Sequence, residues 1–128
     1  MSDAATQLKT LLVDDEPQIL NLVRAYLRTL GFEVTEATNG PEALTFLDKD
    51  VKLLVTDVLL PGGFDGVELA QKARALVPEI RVLLISGYPG EVLAQNGLPE
   101  DCTLLRKPFR RAALGDALRQ VLRADSYV

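Results

Sequence analysis

Leu11-Leu12-Val13-Asp14-Asp15-Glu16-Pro17 sets three apolar residues against three acids and a proline. Beyond it, Ile19, Leu22, Val23, Tyr26, Leu27 and Leu30 fall on one stripe at helical spacing, and Gly31 follows. A short apolar run, a polar break and an amphipathic helix make a βα unit. Proline suits the start of that helix, where its missing N–H leaves nothing unpaired, and glycine suits the position past its end. The unit recurs along the chain. Further apolar runs at Val34 to Ala37, Leu53-Leu54-Val55-Thr56, Val82-Leu83-Leu84-Ile85 and Thr103-Leu104-Leu105 predict four more strands. Several show no alternation, as expected of parallel strands covered on both faces.

Helical patterns fill the intervals. Gly40-Pro41 opens a second helix through Ala43, Leu44 and Leu47, and Gly66 precedes a third through Val67, Ala70, Ala73 and Val77. The last aligns Leu114, Ala117, Leu118, Val121 and Leu122, leaving Arg111, Arg119 and Arg123 for other faces. A fourth helix is confined by Pro89, Gly90, Gly97 and Pro99 to little more than residues 91–96, too short for local propensity to hold it. Strict β/α alternation predicts a doubly wound α/β fold, with helices on both faces of a parallel sheet and right-handed crossovers. Such folds place ligands beyond the C-terminal ends of the strands, where the strand order reverses.

Length and composition narrow the function. A chain of 128 residues suits one domain; residues 9–124 are read as that domain, with 1–8 and 125–128 as tails and no repeat or linker. The net charge of −4 argues against direct nucleic-acid binding, which needs a clustered basic face. No stretch approaches a membrane span, and the first residues do not resemble a signal peptide, so a cytoplasmic protein is expected, a monomer or weak dimer. The single Cys102 cannot form an internal disulfide and is read as a small buried apolar residue. Histidine is absent. That removes a phosphohistidine donor, a serine-histidine triad and imidazole-bound zinc, and leaves oxygen as the ligand for any metal.

The chemistry collects where the topology predicts. The first strand runs into Asp14-Asp15-Glu16, the third into Asp57, the fourth into Ser86-Gly87 and the fifth into Lys107-Pro108. Each has an ordinary structural role available: the acids as caps of the first helix, Asp57 as a turn former before Pro61-Gly62-Gly63, Ser86 as a satisfied hydroxyl, Lys107 as a solvated charge. No capping argument requires all four on one edge of one sheet. Clustered carboxylates repel, so at least one should have a raised pKa, and a divalent ion would relieve the repulsion. Magnesium fits, with manganese as its nearest substitute. Asp15 and Asp57 would hold it directly, Asp14 through water, and the Leu59 backbone carbonyl and an incoming phosphate would complete an oxygen octahedron. A carboxylate can attack phosphorus. Lys107 would then neutralise charge on the transferring oxygens, and the Ser86 hydroxyl would hydrogen-bond one of them.

The blocks Leu12-Val13-Asp14-Asp15-Glu16-Pro17, Thr56-Asp57 to Pro61, Ile85-Ser86-Gly87-Tyr88 and Lys107-Pro108-Phe109 resemble the signature of response-regulator receiver domains over nearly the whole chain. The resemblance implies a flavodoxin-like sheet of order 2-1-3-4-5 and a signalling phosphoacceptor, not an enzyme. It implies phosphorylation of Asp57 by a sensor histidine kinase or a histidine phosphotransfer protein, slow self-assisted loss of the phosphate, and a cis Lys107-Pro108 peptide. The sequence departs from the family pattern at three places. The loop Pro61-Gly62-Gly63-Phe64-Asp65-Gly66 is one residue longer than the commonest form. Position 104 is Leu where many receivers carry an aromatic switch, so Ser86, Gly87, Tyr88 and Leu104 are the candidate switch residues. The style of the motifs is most similar to receivers attached to hybrid sensor kinases or standing free as single domains.

Three rival functions meet specific objections. A haloacid-dehalogenase-like phosphatase needs a second Asp where this chain has Leu59. A flavin or dinucleotide binder needs a Gly-rich turn where this chain has acids. A receiver-like interaction module without phosphorylation is opposed by the complete set Asp14, Asp15, Asp57, Ser86 and Lys107.

Overall fold

Residues 8–87 and 102–126 are described by the structure, a computed structural model. Strands β1 (Lys9–Val13), β2 (Glu33–Ala37), β3 (Val51–Asp57), β4 (Arg81–Ser86) and β5 (Cys102–Arg106) form one sheet. All pairings are parallel, and the order is β2-β1-β3-β4-β5. Helices α1 (Pro17–Thr29), α2 (Gly40–Phe46), α3 (Gly66–Leu76) and α4 (Arg111–Ser126) complete the described residues. The short helix expected at residues 91–96 lies outside them, as does Tyr88.

The unbroken apolar strands follow from burial on both faces. Leu11 and Val13 of β1, Leu54 of β3 and Val82 and Leu84 of β4 pack with Ala43 of α2 and Val67, Ala70 and Ala73 of α3. Their sequence neighbours Leu12, Leu53, Val55, Leu83 and Ile85 point the other way, onto Leu20, Val23 and Leu27 of α1 and Leu114, Leu118 and Val121 of α4. The period of two thus feeds two cores at once. The edge strand β2, reading Glu33-Val34-Thr35-Glu36-Ala37, carries two acids, and Arg24 of α1 reaches across to Glu36 at 2.5 Å.

Two expectations need correction. Leu30 was expected on the buried stripe of α1, yet it is 44% exposed. The helix stops at Thr29 and Leu30 is its C-cap, so the chain turns away before a further helical position forms; Leu20 fills the stripe instead. Leu47 likewise caps α2 with extended backbone, though it still packs against the core. The short α2 is secured by local hydrogen bonds. Asn39 Oδ1 accepts from Glu42 N–H at 2.7 Å, which satisfies an orphan donor of the first turn, and Glu42 Oε1 accepts from Thr38 N–H at 2.7 Å, which holds the chain entering the helix.

Candidate functional site

Strand order reverses between β1 and β3, and the acids stand there. Asp14 follows the last residue of β1, is fully buried, and is tied to the edge strand by its N–H, which donates to Ala37 O at 3.1 Å. Asp57 ends β3 and is also buried. Its Oδ1 accepts from Leu59 N–H at 3.4 Å, and Leu59 is 47% exposed. Lys107 follows β5. Its N–H donates to Ser86 O at 2.8 Å, joining the exits of β4 and β5, and the Lys107–Pro108 peptide is cis.

The ammonium of Lys107 crosses the crevice to the acids. Its Nζ lies 2.6 Å from Glu16 Oε1, 3.2 Å from Asp57 Oδ2 and 3.3 Å from Asp14 Oδ2. Oxygens of Asp14, Glu16 and Asp57 all fall within 4.8 Å of one another. Asp15, which sequence reading places on the metal, is exposed and outside that trio, whereas Glu16 is within it. Glu16 is the N-cap of α1 but its side chain makes no cap hydrogen bond, so service to the helix does not explain it. The pairing was invisible in sequence because Glu16 and Lys107 are 91 residues apart. The available signal was a third acid following the strand.

Other candidates fall around this centre. Ser86 is buried at the end of β4, whose preceding residue Ile85 pairs with Asp57 in register. Gly87 is exposed, and among the described residues nothing lies within 4 Å of where a Cβ would stand. Leu104 is half-buried against the α2/α3 core. The long loop after Leu59 is braced by Phe64, whose ring lies against Gly40 of α2 and carries Lys72 Nζ 5.2 Å from its centroid. Positive φ at Gly62 and Gly63, 82° and 130°, explains why glycines stand there.

Burial chiefly, with Asp57 nearby, lifts the Asp14 carboxyl to about 6, although the Glu16 backbone N–H and Lys107 oppose the rise. Burial likewise pushes Asp57 up, against the pull of Lys107. For Lys107, burial works against the charge, yet Glu16, Asp57 and Asp14 together hold its ammonium above the usual lysine range. A divalent cation fits this donor set. Asp14 Oδ2 is buried and lacks a hydrogen bond despite the nearby ammonium, and three carboxylates face one positive charge.

Stability should carry the mark of this crowding. An acid with a raised folded pKa holds its proton more tightly in the folded state, so stability is lost as pH rises from the unfolded to the folded value. For Asp14 that window runs from 3.8 to about 6, and the loss is roughly 3 kcal/mol at 1.36 kcal/mol per unit. Urea unfolding in EDTA at pH 4 and pH 7.5 is expected to show Asp14→Asn gaining stability relative to wild type between the two. An equal pH response in both proteins would contradict it.

Residues 10–119 match the response regulator receiver domain. The chain belongs to this family. It is a two-component signalling module, and receiver domains act with histidine kinases or phosphotransfer proteins. The receiver domain is 34% identical over 127 residues to sensor kinase CckA of Brucella abortus (strain 2308), a match covering 94% of this chain and 13% of that protein. Against the response regulator receiver protein CpdR of the same strain it is 30% identical over 116 residues, covering 89% of this chain and 96% of the relative. A crystal structure of a response regulator receiver protein from Sinorhizobium medicae WSM419 superposes with a TM-score of 0.82 at 33% identity, covering 94% of this chain and 98% of that one. No helix among the described residues is long and apolar enough to cross a membrane.

Proposed function

We propose that the receiver domain accepts a phosphoryl group on Asp57 from a phosphohistidine, carried by a sensor histidine kinase or a histidine phosphotransfer protein. The single observation carrying this reading is the buried Asp57 carboxylate at the end of β3, with the Lys107 ammonium 3.2 Å from Oδ2. In the transfer, a bond forms between a carboxylate oxygen of Asp57 and phosphorus while the phosphorus–nitrogen bond breaks. The electron pair leaves with the imidazole. Lys107 sits where it can follow the developing charge on the phosphoryl oxygens, and Ser86 at the neighbouring strand end supplies a hydroxyl toward them.

Asp15, Asp57 and the Leu59 carbonyl would hold magnesium, or manganese in its place, with Asp14 as a further carboxylate. When bound, such an ion would neutralise the carboxylates and the phosphoryl oxygens. The domain then signals by its change of shape to a downstream partner protein. Intact-mass analysis after incubation with acetyl phosphate and magnesium tests the reading. The expected result is one added phosphoryl group, absent when EDTA is present. An unchanged mass with both reagents would overturn it.

A further inference from the structure

The Glu16–Lys107 pair bears on how the site is set before phosphate arrives, a role that rests on the phosphoacceptor reading of Asp57. We propose that Glu16 is a positioning residue: it holds the Lys107 ammonium at the mouth of the pocket in the unphosphorylated domain, in competition with Asp57, and yields it to the phosphoryl oxygens.

The local structure builds Glu16 for this contact. Asp14 Oδ1 accepts from the Glu16 N–H at 2.9 Å, which fixes the backbone from which the side chain departs. An acid at an N-cap ordinarily serves the helix donors, but this one leaves them and reaches Lys107. Of the three carboxylates around the ammonium it makes the shortest contact, 2.6 Å against 3.2 and 3.3 Å.

An exposure gradient decides which contact is released. The Glu16 side chain is 57% exposed, whereas those of Asp57 and Asp14 are 9% and 1% exposed. A carboxylate abandoned by its cation in the interior is costly, but one at the surface is rehydrated at once. Glu16 is therefore the partner that lets go most cheaply. A phosphoryl group brings a charge of roughly −1.5 to −2, more than a single carboxylate offers, so Lys107 swings inward along the line it already occupies. Glu16 then stands free at the rim of the pocket, between α1 and the phosphorylated strand end.

Two measurements test this, one without any phosphate. In the unphosphorylated protein, Glu16→Gln is expected to speed exchange of the Lys107 Nζ protons and move its Cε resonances; unaltered signals would overturn the holding role. In magnesium, beryllofluoride is expected to bind Glu16→Gln about two- to fivefold tighter than wild type, the size of one partly exposed ion pair. That gain should vanish in the Lys107→Ala background. An equal gain there would reduce Glu16 to a general repulsive charge, and weaker binding by Glu16→Gln would mark it as a metal ligand; either result sinks the proposal. If wild type binds no beryllofluoride while the Lys107 resonances still respond to Glu16→Gln, the phosphoacceptor reading fails and takes the release role with it, and the holding role stands.

Discussion

Asp57→Asn is expected to abolish phosphoryl uptake from acetyl phosphate while raising the melting temperature of the metal-free domain. The two effects have one origin. A carboxamide nitrogen or its neutral oxygen is a far poorer nucleophile toward phosphorus than a carboxylate, and histidine, which would take the group on nitrogen, is absent from this chain. The same charge that makes Asp57 reactive is held in a buried place, and burial pushes its pKa up. In the folded protein at neutral pH that charge therefore works against stability. Asn fills the same volume and keeps an oxygen to accept from the Leu59 N–H, so the strand end retains its geometry. Lys107 retains Glu16 and Asp14 as partners. Calorimetry in EDTA reads the gain, at about 4 °C for each kcal/mol relieved, and intact mass reads the loss. Stable phosphorylation of the Asn variant at another residue would defeat the assignment of Asp57.

The second large effect is expected from Gly66→Ala. Gly66 opens α3 and its N–H donates to Val58 O at 2.7 Å, so the helix start is pressed onto the end of β3. A Cβ at position 66 would run into the carbonyl oxygen of Asp57, with Asp57 C 2.9 Å and Val58 Cα 3.0 Å away. All three atoms are backbone, and none can rotate aside. To admit one methyl group, α3 must lift from the sheet, disturbing Val67, Ala70 and Ala73 in the core and the turn that carries Leu59. Overpacking of this kind costs about 1–3 kcal/mol and sometimes more. The expected result is a loss at or above the upper end, with slower phosphorylation because the carbonyl of the acceptor residue itself is displaced. Gly87→Ala is the control. With no described residue near a Cβ at position 87, it should change stability little. Denaturant midpoints of the two variants decide the matter, and a Gly66→Ala protein as stable as the control would show the close approach to be soft.

Sequence reading found the sheet because each strand carries its own signal: an apolar run covered on both faces needs no partner to be recognised. It placed Asp14, Asp57, Ser86 and Lys107 at strand ends because topology alone puts them there. Failures arose wherever the deciding fact was a distance between remote residues or the place where a helix stops. Leu30 obeys the helical period, but the period cannot say that the chain turns at Thr29. Val51 was missed as the start of β3 because the exposed Lys52 interrupts the apolar run, although strand alternation accommodates it. Gly66 was legible as the residue before a helix, whereas the carbonyl it must clear belongs to another element. Glu16 carried no role in sequence beyond an available helix cap, and its actual partner follows the last strand of the sheet.

The site draws on four short segments at one rim of the sheet, and the outward surfaces of the helices contribute nothing to it. Asn21, Ala25 and Arg28 on α1 are exposed to solvent. Mutation can therefore redraw those surfaces without disturbing the chemistry at Asp57, so a duplicated gene could acquire a new signalling allegiance while the reaction it inherited stays the same.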